Sequence, residues 1–340
     1  MKEVGKESLY SYTGTVDGKV QMKGRDDFLK PMYEKFGERF YNYRHEWDRA
    51  GTADGYLPDF PLFLDIEPEY LCNLRCIHCS LQDGKENPSY IPNRMSVEMY
   101  RRICEEGRQH GLPAITVSNN NEGLLQKNLF DYIQSAKDAG IMDIFVGTNA
   151  HLLTLELGEK LIKSGLTRLL ISLDAASDIS YKKIRRSDKF DQVVNNILSF
   201  KALRNEMGLK LPLIRVSMVV HAMNQHEEKA FQDFWENHAD IISIQRYIPY
   251  QGDPNIVDKL IPIDRESNPS TTCASLFQRM TIRANGDVIA CCHLSNKLKI
   301  GNISESSIRD IWHSKELNEI RRIHLAGRYN EIDVCKSCMS

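Results

Sequence analysis

Cysteines are the side chains of this 340-residue sequence with the clearest potential for chemistry, and eight of the nine fall in two groups. Cys104 alone stands apart. Such clustering favours metal or redox chemistry over scattered burial of small apolar side chains. Disulfides are not expected, because we predict a reducing compartment. The early group is Cys72, Cys76 and Cys79, and the late group is Cys273, Cys291, Cys292, Cys335 and Cys338.

The early group has the spacing C-x3-C-x2-C, directly after an apolar, strand-like run. A [4Fe–4S] cubane takes four ligands, so three thiolates leave one iron open to a small molecule. Zinc is the alternative, but zinc favours four-coordinate sets with paired C-x2-C knuckles. His78 is a poor fourth zinc ligand, because its ring lies between two thiolates and can hardly reach the same ion. The spacing therefore favours an iron–sulfur cluster with one open iron.

The late group supplies four or five thiolates near the end of the sequence. Four ligands would leave a cluster without an open iron, which suits electron transfer rather than substrate ligation. We prefer Cys291 to Cys292 as a ligand, because adjacent strand residues point to opposite faces. Cys292 or Cys104 could then act as a thiol hydrogen donor, although packing inside a helix is the simpler interpretation of Cys104. A structural zinc ribbon remains the alternative for this module.

The early motif resembles the cluster motif of the radical S-adenosylmethionine (SAM) superfamily. The resemblance places His78 at a position that is usually aromatic and packs beside the SAM adenine. It also aligns the run Asn119-Asn120-Asn121-Glu122-Gly123 with the Gly-Gly-Glu turn of the family. Glu122 would then bind the SAM amino group, and a solvent-exposed turn carboxylate is the alternative.

A third matching segment is Ser172-Leu173-Asp174-Ala175-Ala176, followed by Tyr181-Lys182-Lys183-Ile184-Arg185. The resemblance places Ser172 and Asp174 in the barrel mouth near the ribose or the substrate. It brings Arg185 to the SAM carboxylate. A purely structural role for these residues is the alternative.

The late cysteines and the residues between them resemble the SPASM/twitch extension of radical SAM enzymes. The resemblance implies an auxiliary [4Fe–4S] cluster on Cys273, Cys291, Cys335 and Cys338. The full SPASM form has more cysteines, so the shorter twitch form fits better. The run that carries the resemblance is Cys273, Asn285-Gly286-Asp287-Val288, Cys291-Cys292, Gly301-Asn302-Ile303, Ile311-Trp312 and Cys335-Lys336-Ser337-Cys338.

The resemblance implies an enzyme that reductively cleaves SAM to a 5′-deoxyadenosyl radical, which abstracts a hydrogen atom from a C–H bond. An external electron donor such as flavodoxin or ferredoxin would reduce the SAM-binding [4Fe–4S] cluster. We expect a small-molecule substrate, such as a sugar or aminoglycoside-like compound, that is dehydrogenated or epimerised. The alternatives are a radical SAM maturase of a ribosomal peptide and, in another class, a non-enzymatic metal-binding protein.

The elements that must position these residues alternate between short strands and helices. Six such units imply a parallel sheet with right-handed crossovers, and they are too few for a closed eight-stranded barrel. We therefore predict an α/β fold, a partial (β/α)6 TIM-like barrel with a small C-terminal β-hairpin and helix iron–sulfur domain. Chemistry then lies on loops at the carboxyl ends of the strands. The predicted strands are 62–66, 114–119, 143–148, 168–173, 213–220 and 241–248.

Four regions follow from this pattern. Residues 1–61 form an N-terminal helical extension, packed against the barrel or acting as a lid, and 62–248 the radical SAM barrel. Residues 249–272 are a linker and 273–340 the auxiliary cluster domain, in which Asn285-Gly286 predicts a type I′ hairpin turn. Peptide-modifying relatives commonly carry an N-terminal domain of mixed strands and helices, so a purely helical extension weighs against a peptide substrate.

Composition agrees with a globular protein, with 41% hydrophobic and 26% charged residues. A net charge of −2 and a pI near 6.6 give no basic excess for binding nucleic acid or a membrane surface. The sequence shows neither a signal-peptide-like apolar run nor a spanning segment. We therefore expect a cytoplasmic protein without nucleic-acid or membrane partners.

Overall fold

A ten-stranded sheet organises the part of the protein that the structure describes. The computed structural model describes residues 28–52, 54–79, 93–247, 257–263, 272–291 and 298–339, together with the backbone of 21–23. Cys292, the expected hydrogen donor, and much of the expected linker lie outside the described residues. The strands are β1 (Gln21–Lys23), β2 (Phe63–Glu67), β3 (Ala114–Thr116), β4 (Asp143–Thr148), β5 (Arg168–Ser172), β6 (Leu213–Val220), β7 (Ile241–Arg246), β8 (Arg279–Arg283), β9 (Asp287–Ile289) and β10 (Lys299–Asn302).

Helices connect the strands and cover the sheet. Side-chain capping begins several of them; the Ser96 hydroxyl, for example, accepts the Met99 N–H at 3.0 Å at the start of the third helix. Gly165, at φ +99°, ends the fifth helix in left-handed backbone. The helices are α1 (Lys30–Phe36), α2 (Glu38–Arg49), α3 (Val97–Gln109), α4 (Leu129–Asp138), α5 (Leu155–Ser164), α6 (Asp178–Arg185), α7 (Phe190–Glu206), α8 (Glu228–Trp235), α9 (Ser275–Gln278), α10 (Ile308–Trp312), α11 (Lys315–Leu325) and α12 (Asp333–Met339).

The strand order is β1-β7-β6-β5-β4-β3-β2-β8-β9-β10, and the neighbours from β7 to β8 are all parallel. The predicted six-unit partial barrel is confirmed as an open sheet with helices on its connections. One parallel strand was not expected. β8, the first strand of the predicted C-terminal hairpin, pairs along the whole of β2, from Phe63 opposite Arg279 to Glu67 opposite Arg283. This pairing satisfies the backbone groups that the outer edge of β2 would otherwise expose.

The hairpin turn at Asn285-Gly286 differs from the prediction. The Gly286 N–H bonds the Arg283 carbonyl at 2.9 Å, and only Gly286 in this turn has left-handed backbone, at φ +85°. A type I′ turn needs positive φ at both central residues, so the type I′ prediction is wrong. The turn closes one residue earlier and Gly286 follows it, which makes the loop longer than a two-residue turn.

The described part of the N-terminal extension contains a strand as well as helices. β1 pairs antiparallel with β7 at the far edge of the sheet. Helix α2 packs against the starts of the strands, where Trp47 lies edge-to-face on Phe63 with centroids 6.3 Å apart. The Gln278 side chain donates to the Trp47 carbonyl at 2.9 Å. Because the cysteine loop follows the ends of the strands, α2 lies at the opposite end of the sheet from it.

A buried ion pair lies at the same end of the sheet as α2, where the strands begin. Arg168 Nε is 2.9 Å from Asp143 Oδ1, and both side chains are essentially inaccessible to solvent. The Thr167 hydroxyl donates to the same carboxylate at 2.8 Å. This pair joins the starts of β4 and β5.

Among the described residues, none of the helices combines the length and apolarity that a bilayer-spanning segment requires.

Candidate functional site

The cysteine loop lies at the carboxyl end of β2, and a small apolar cluster holds it in place. Ile77, between Cys76 and His78, packs in a core with Ile184, Tyr247 and Leu260. The Ile77 N–H also donates to the Ile184 carbonyl at 3.0 Å. Cys76 is buried, whereas Cys72 and Cys79 are partly exposed. Leu260 belongs to the expected linker 249–272, so part of that segment supports the loop.

Arg185 and Asp174 form a charged pair directly beneath the loop. Arg185 Nη1 lies 3.3 Å from the Cys76 sulfur, and Arg185 Nη2 lies 2.8 Å from Asp174 Oδ2. Burial alone would lower the pKa of Arg185, but Asp174 and Cys76 raise it, and the net change is upward. Arg185 thus places a permanent cation beside Cys76, one of the three proposed cluster ligands.

Asp174 also organises the ends of the neighbouring strands. Its backbone is left-handed, at φ +61°, and its Oδ1 accepts the Val219 N–H at 2.8 Å. His78 Nε2 lies 3.4 Å from Asp174 Oδ2. Burial lowers the pKa of His78 to about 4 despite this carboxylate, so the ring is neutral at physiological pH. The structure therefore brings together Cys76, His78, Asp174 and Arg185 from three separate segments.

Glu122 is buried and fully engaged by the protein on one side. Its carboxylate accepts the Leu124 N–H at 3.1 Å, the Thr148 hydroxyl at 2.5 Å and the Asn149 N–H at 2.6 Å. Burial raises its pKa, and these hydrogen bonds oppose the rise. The exposed-turn alternative is wrong for Glu122, which instead ties the loop after β3 to the end of β4.

Asn149 is a site residue that the sequence reasoning missed. Its side-chain amide donates to the Asn73 side chain at 2.8 Å and lies 3.9 Å from the Cys72 sulfur. It thus connects the Glu122 carboxylate to the cysteine loop. Its position immediately after a strand was the available signal, because residues there line the functional edge of a parallel sheet.

His221 is a second missed residue, again directly after a strand. Its side chain is completely buried, and within the described part of the chain neither ring nitrogen has a hydrogen-bond partner. The ring lies 5.7 Å from that of His78, centroid to centroid.

Asn119 and Asn121 also carry buried amide atoms without a hydrogen-bond partner among the described residues. Ser172 is half-buried at the end of β5, opposite Ser217 in register. Open polar atoms beside the cysteine loop fit a polar cofactor such as SAM.

The late cysteines converge on a second site. Cys273 precedes α9, Cys291 follows β9, and Cys335 and Cys338 lie three residues apart on α12. That spacing places two side chains on one helix face. All four of the predicted ligands line one small, partly open cavity.

The cysteines of the second site surround a volume rather than a point. In the part of the chain that the structure describes, no three Cys, His, Asp or Glu side chains converge tightly enough to hold a single metal ion. Four soft thiolates around a cavity fit an iron–sulfur cluster. Burial, with Cys273 as a smaller contribution, raises the pKa of the Cys335 thiol to about 12.

Cys104 belongs to neither site. It is buried in α3, and burial raises the pKa of its thiol to about 12. A thiol in that environment is protonated, so it is neither a nucleophile nor a metal ligand. Its burial within α3, outside both cysteine sites, favours the packing interpretation over a hydrogen-donor role.

Two family models match the chain. One describes the radical SAM superfamily and matches residues 66–232, and the other describes the SPASM iron–sulfur cluster-binding domain and matches residues 273–339. These matches imply a SAM-binding [4Fe–4S] cluster and an auxiliary iron–sulfur cluster. They agree with the predicted SPASM/twitch-type module.

Curated relatives match about half of the chain. A probable GTP 3′,8-cyclase of Methanocaldococcus jannaschii is 29% identical over 178 residues, which is 52% of this chain and 56% of the relative. A probable GTP 3′,8-cyclase of Saccharolobus solfataricus is 27% identical over 174 residues, or 51% of this chain and 53% of the relative. The chain thus spans about half the length of the curated relatives it matches.

Solved structures resemble a larger share of the chain. Streptococcus suis SuiB bound to the precursor peptide SuiA has a TM-score of 0.61 at 17% identity, over 84% of this chain and 71% of SuiB. BtrN in complex with AdoMet and 2-DOIA has a TM-score of 0.56 at 17% identity, over 82% of this chain and 92% of BtrN. At this identity the likeness concerns the fold. With the two family matches and the two cysteine sites, it follows that the chain belongs to the radical SAM superfamily and carries a SPASM-type auxiliary cluster domain.

Proposed function

We propose that this radical SAM enzyme holds its SAM-binding cluster on Cys72, Cys76 and Cys79 and removes a hydrogen atom from a small molecule, giving a dehydrogenated or epimerised product. The difference between the two cysteine sets carries the proposal. Three thiolates lie at the open ends of the strands, and four line a separate cavity. The clusters would supply the electron that cleaves SAM and a site for storing an electron.

Dehydrogenation is the favoured outcome, because the auxiliary cluster can accept the second electron that dehydrogenation releases. Four thiolates would leave the auxiliary cluster without an open iron, so this cluster would accept an electron rather than bind substrate. Epimerisation instead needs a hydrogen donor on the opposite side of the substrate. Cys292 is the candidate for that donor, since Cys104 is buried in α3 outside both cysteine sites.

The polar residues around the cysteine loop would orient SAM. Glu122 can still offer Oε2 to the SAM ammonium group, because among the described residues this oxygen accepts only the Asn149 N–H. His78 would pack beside the adenine. Arg185 would approach the SAM carboxylate, and Ser172 and Asp174 would contact the ribose or the substrate. The contacts of Arg185 and Asp174 with each other mean that they also support the loop itself.

The packing of the N-terminal segment favours a small molecule over a peptide. In the described part of residues 1–61, β1 completes a sheet edge and α2 packs on the starts of the strands. Both elements therefore pack against the barrel and do not form a separate recognition domain. Relatives named for GTP and the BtrN complex with 2-DOIA favour the same substrate class, whereas SuiB with its precursor peptide represents the alternative.

Anaerobic SAM cleavage tests the first half of the proposal. The reconstituted protein, reduced by flavodoxin, ferredoxin or dithionite, should form 5′-deoxyadenosine, and alanine at Cys72, Cys76 and Cys79 should abolish this product. Cys104→Ala is the matched control, because it removes a buried thiol outside both sites. Unchanged cleavage in the triple variant would disprove the ligand assignment.

Isotope transfer tests the substrate class. Deuterated sugars, aminoglycoside-like compounds and nucleotides should be offered beside deuterated ribosomal peptides. We expect deuterium from a small molecule to appear in 5′-deoxyadenosine. Transfer from a peptide would overturn the small-molecule proposal and leave the cluster assignment intact.

A further inference from the structure

His324 lies inside the second cysteine site, although it belongs to no predicted ligand set. It is on α11, completely buried, and lines the same cavity as Cys273, Cys291, Cys335 and Cys338. Its Nδ1 accepts the backbone N–H of Cys273 at 3.3 Å. The second ring nitrogen, Nε2, therefore lies close to the four thiolates.

The contact with Cys273 determines where the His324 ring carries its proton. A backbone N–H can only donate, so Nδ1 must present a lone pair to it. The neutral imidazole then carries its single proton on Nε2. Nε2 is thus a donor, and it is buried without a hydrogen-bond partner among the described residues.

An unsatisfied donor in such a cavity needs an acceptor. Leu276, Ala290, Leu298 and Val334, which also line the cavity, carry no side-chain acceptor. Ser275 and Met339 line it as well, but neither accepts a hydrogen bond from Nε2. The sulfur atoms of an iron–sulfur cluster, both sulfide and cysteine thiolate, accept hydrogen bonds. A cluster in this cavity would therefore provide the acceptor that the described residues do not.

We propose that the Nε2–H of His324 donates a hydrogen bond to a sulfur of the auxiliary cluster and raises the reduction potential of that cluster. The inference rests on the proposed ligand set Cys273, Cys291, Cys335 and Cys338. A donor stabilises the more negative, reduced cluster more than the oxidised one, and hydrogen bonds to sulfur are among the features that set these potentials. His324 is a positioning residue that makes the auxiliary cluster a better electron acceptor.

Direct ligation of iron by His324 is disfavoured by the same geometry. Coordination through Nε2 needs a lone pair there, which moves the proton to Nδ1. That proton would face the Cys273 N–H at 3.3 Å, donor against donor. The tautomer that the backbone selects is the one that donates.

Redox titration of the full chain tests the inference. Alanine at Cys72, Cys76 and Cys79 leaves only the auxiliary cluster, whose reduction is followed by electron paramagnetic resonance. In this background His324→Leu should lower the reduced-to-oxidised ratio roughly tenfold at a fixed potential, a downward shift of about 59 mV for one electron. His324→Gln keeps an N–H donor and should recover part of the shift. His313→Gln is the control, since His313 bonds the Asp59 carbonyl outside the cavity.

A spectroscopic measurement on unsubstituted His324 covers the case in which His324→Leu fails to fold. In protein labelled with 15N-histidine, electron–nuclear double resonance of the reduced auxiliary cluster should show a weak 15N coupling and an exchangeable proton. A strong coupling, typical of coordinated nitrogen, or no coupling at all would overturn the inference. Absence of cluster iron in the background protein would instead contradict the ligand set, so the two failures are distinguishable.

Discussion

Arg185 and Cys76 are 109 positions apart in sequence, yet Nη1 of the arginine lies 3.3 Å from the sulfur of the cysteine. Arg185 is the last residue of α6, and Cys76 is the most buried thiol of the cysteine loop. The contact places a permanent positive charge against the middle ligand of the proposed SAM-binding cluster. It also couples α6 to the loop, so a change at Arg185 should alter cofactor chemistry as well as stability.

Arg185→Gln should reduce SAM cleavage about tenfold or more, since a hydrogen bond to a charged group contributes about 1.5–3 kcal/mol. The variant also leaves the Asp174 carboxylate without its 2.8 Å guanidinium partner. Arg185→Lys keeps the charge but loses the paired donors, so an intermediate rate is expected. The rate of 5′-deoxyadenosine formation per cluster measures both effects.

Lys183→Gln is the matched control for this charge change, because Lys183 is on the exposed side of the same helix. It should cleave SAM at the unsubstituted rate. If Arg185→Gln behaved like Lys183→Gln, the contact with Cys76 would have no role in the chemistry.

Gly123→Ala should disturb the SAM site through the backbone beside Glu122. A Cβ at Gly123 would lie 2.5 Å from the Gly147 carbonyl oxygen and 2.9 Å from Val146. The turn must shift to relieve this overlap, which moves the Glu122 carboxylate away from the Asn149 N–H. SAM affinity, measured by equilibrium binding to the reconstituted protein, should fall.

Gly208→Ala controls for the loss of a glycine as such. Gly208 has φ +69° and open space around its Cβ position, so alanine there strains the backbone without a clash. It should lower stability and leave SAM affinity unchanged. Equal SAM affinity in the two variants would show that the position of Glu122 does not matter.

The sequence predicted the structure best where the hydrophobic periodicity and the residues that end helices and strands indicated the same boundaries. The predicted strands 143–148 and 213–220 match β4 and β6 to the residue. Glycines end several helices as expected, and the four preferred late cysteines line one cavity. Local patterns determine such elements, because apolar alternation and caps are read within one segment.

Long-range pairing was not predictable in the same way. The sequence predicts β8 as one strand of a local hairpin. The residues Arg279–Arg283 themselves do not indicate that β8 also pairs with β2. The side chains of Asn149 and His221 acquire their roles only when separate loops meet at one sheet edge. His324 lies on the buried stripe of an amphipathic helix, where a histidine usually signals packing. Its partner Cys273 is 51 positions away.

The choice between Cys291 and Cys292 gives a prediction with a built-in control. Cys291 lines the second cavity. Cys291→Ser should therefore remove or destabilise the auxiliary cluster, a loss of about four iron atoms per chain. SAM cleavage should persist, because the three thiolates of the other cluster are untouched, but turnover of substrate should fail.

Cys292→Ser is the companion variant and should keep the full iron content. If Cys292 donates a hydrogen atom, this variant should still consume substrate while the epimerised product disappears. Loss of iron from Cys292→Ser, with normal iron in Cys291→Ser, would reverse the assignment of the ligand.

Glu67 should make stability depend on pH. It lies at the end of β2, almost fully buried, opposite Arg283 in register. Burial raises its pKa from 4.5 to about 8, although Arg283 and the Asn120 side chain act in the opposite direction. Between these two pH values the folded protein binds more protons than the unfolded chain. The free energy of unfolding should therefore fall as pH rises through this window, by up to about 1.4 kcal/mol per pH unit.

Glu67→Gln should remove this part of the pH dependence, because the amide is neutral in both states. The free energy of unfolding, from anaerobic urea titrations across the window, should become flatter, and the variant should gain stability over the unsubstituted protein toward the alkaline end. Glu98→Gln is the control, since Glu98 is a largely exposed carboxylate on α3. If Glu67→Gln kept the slope of the unsubstituted protein, Glu67 would be ionised in the fold, and the attraction of Arg283 would outweigh the cost of burying the charge.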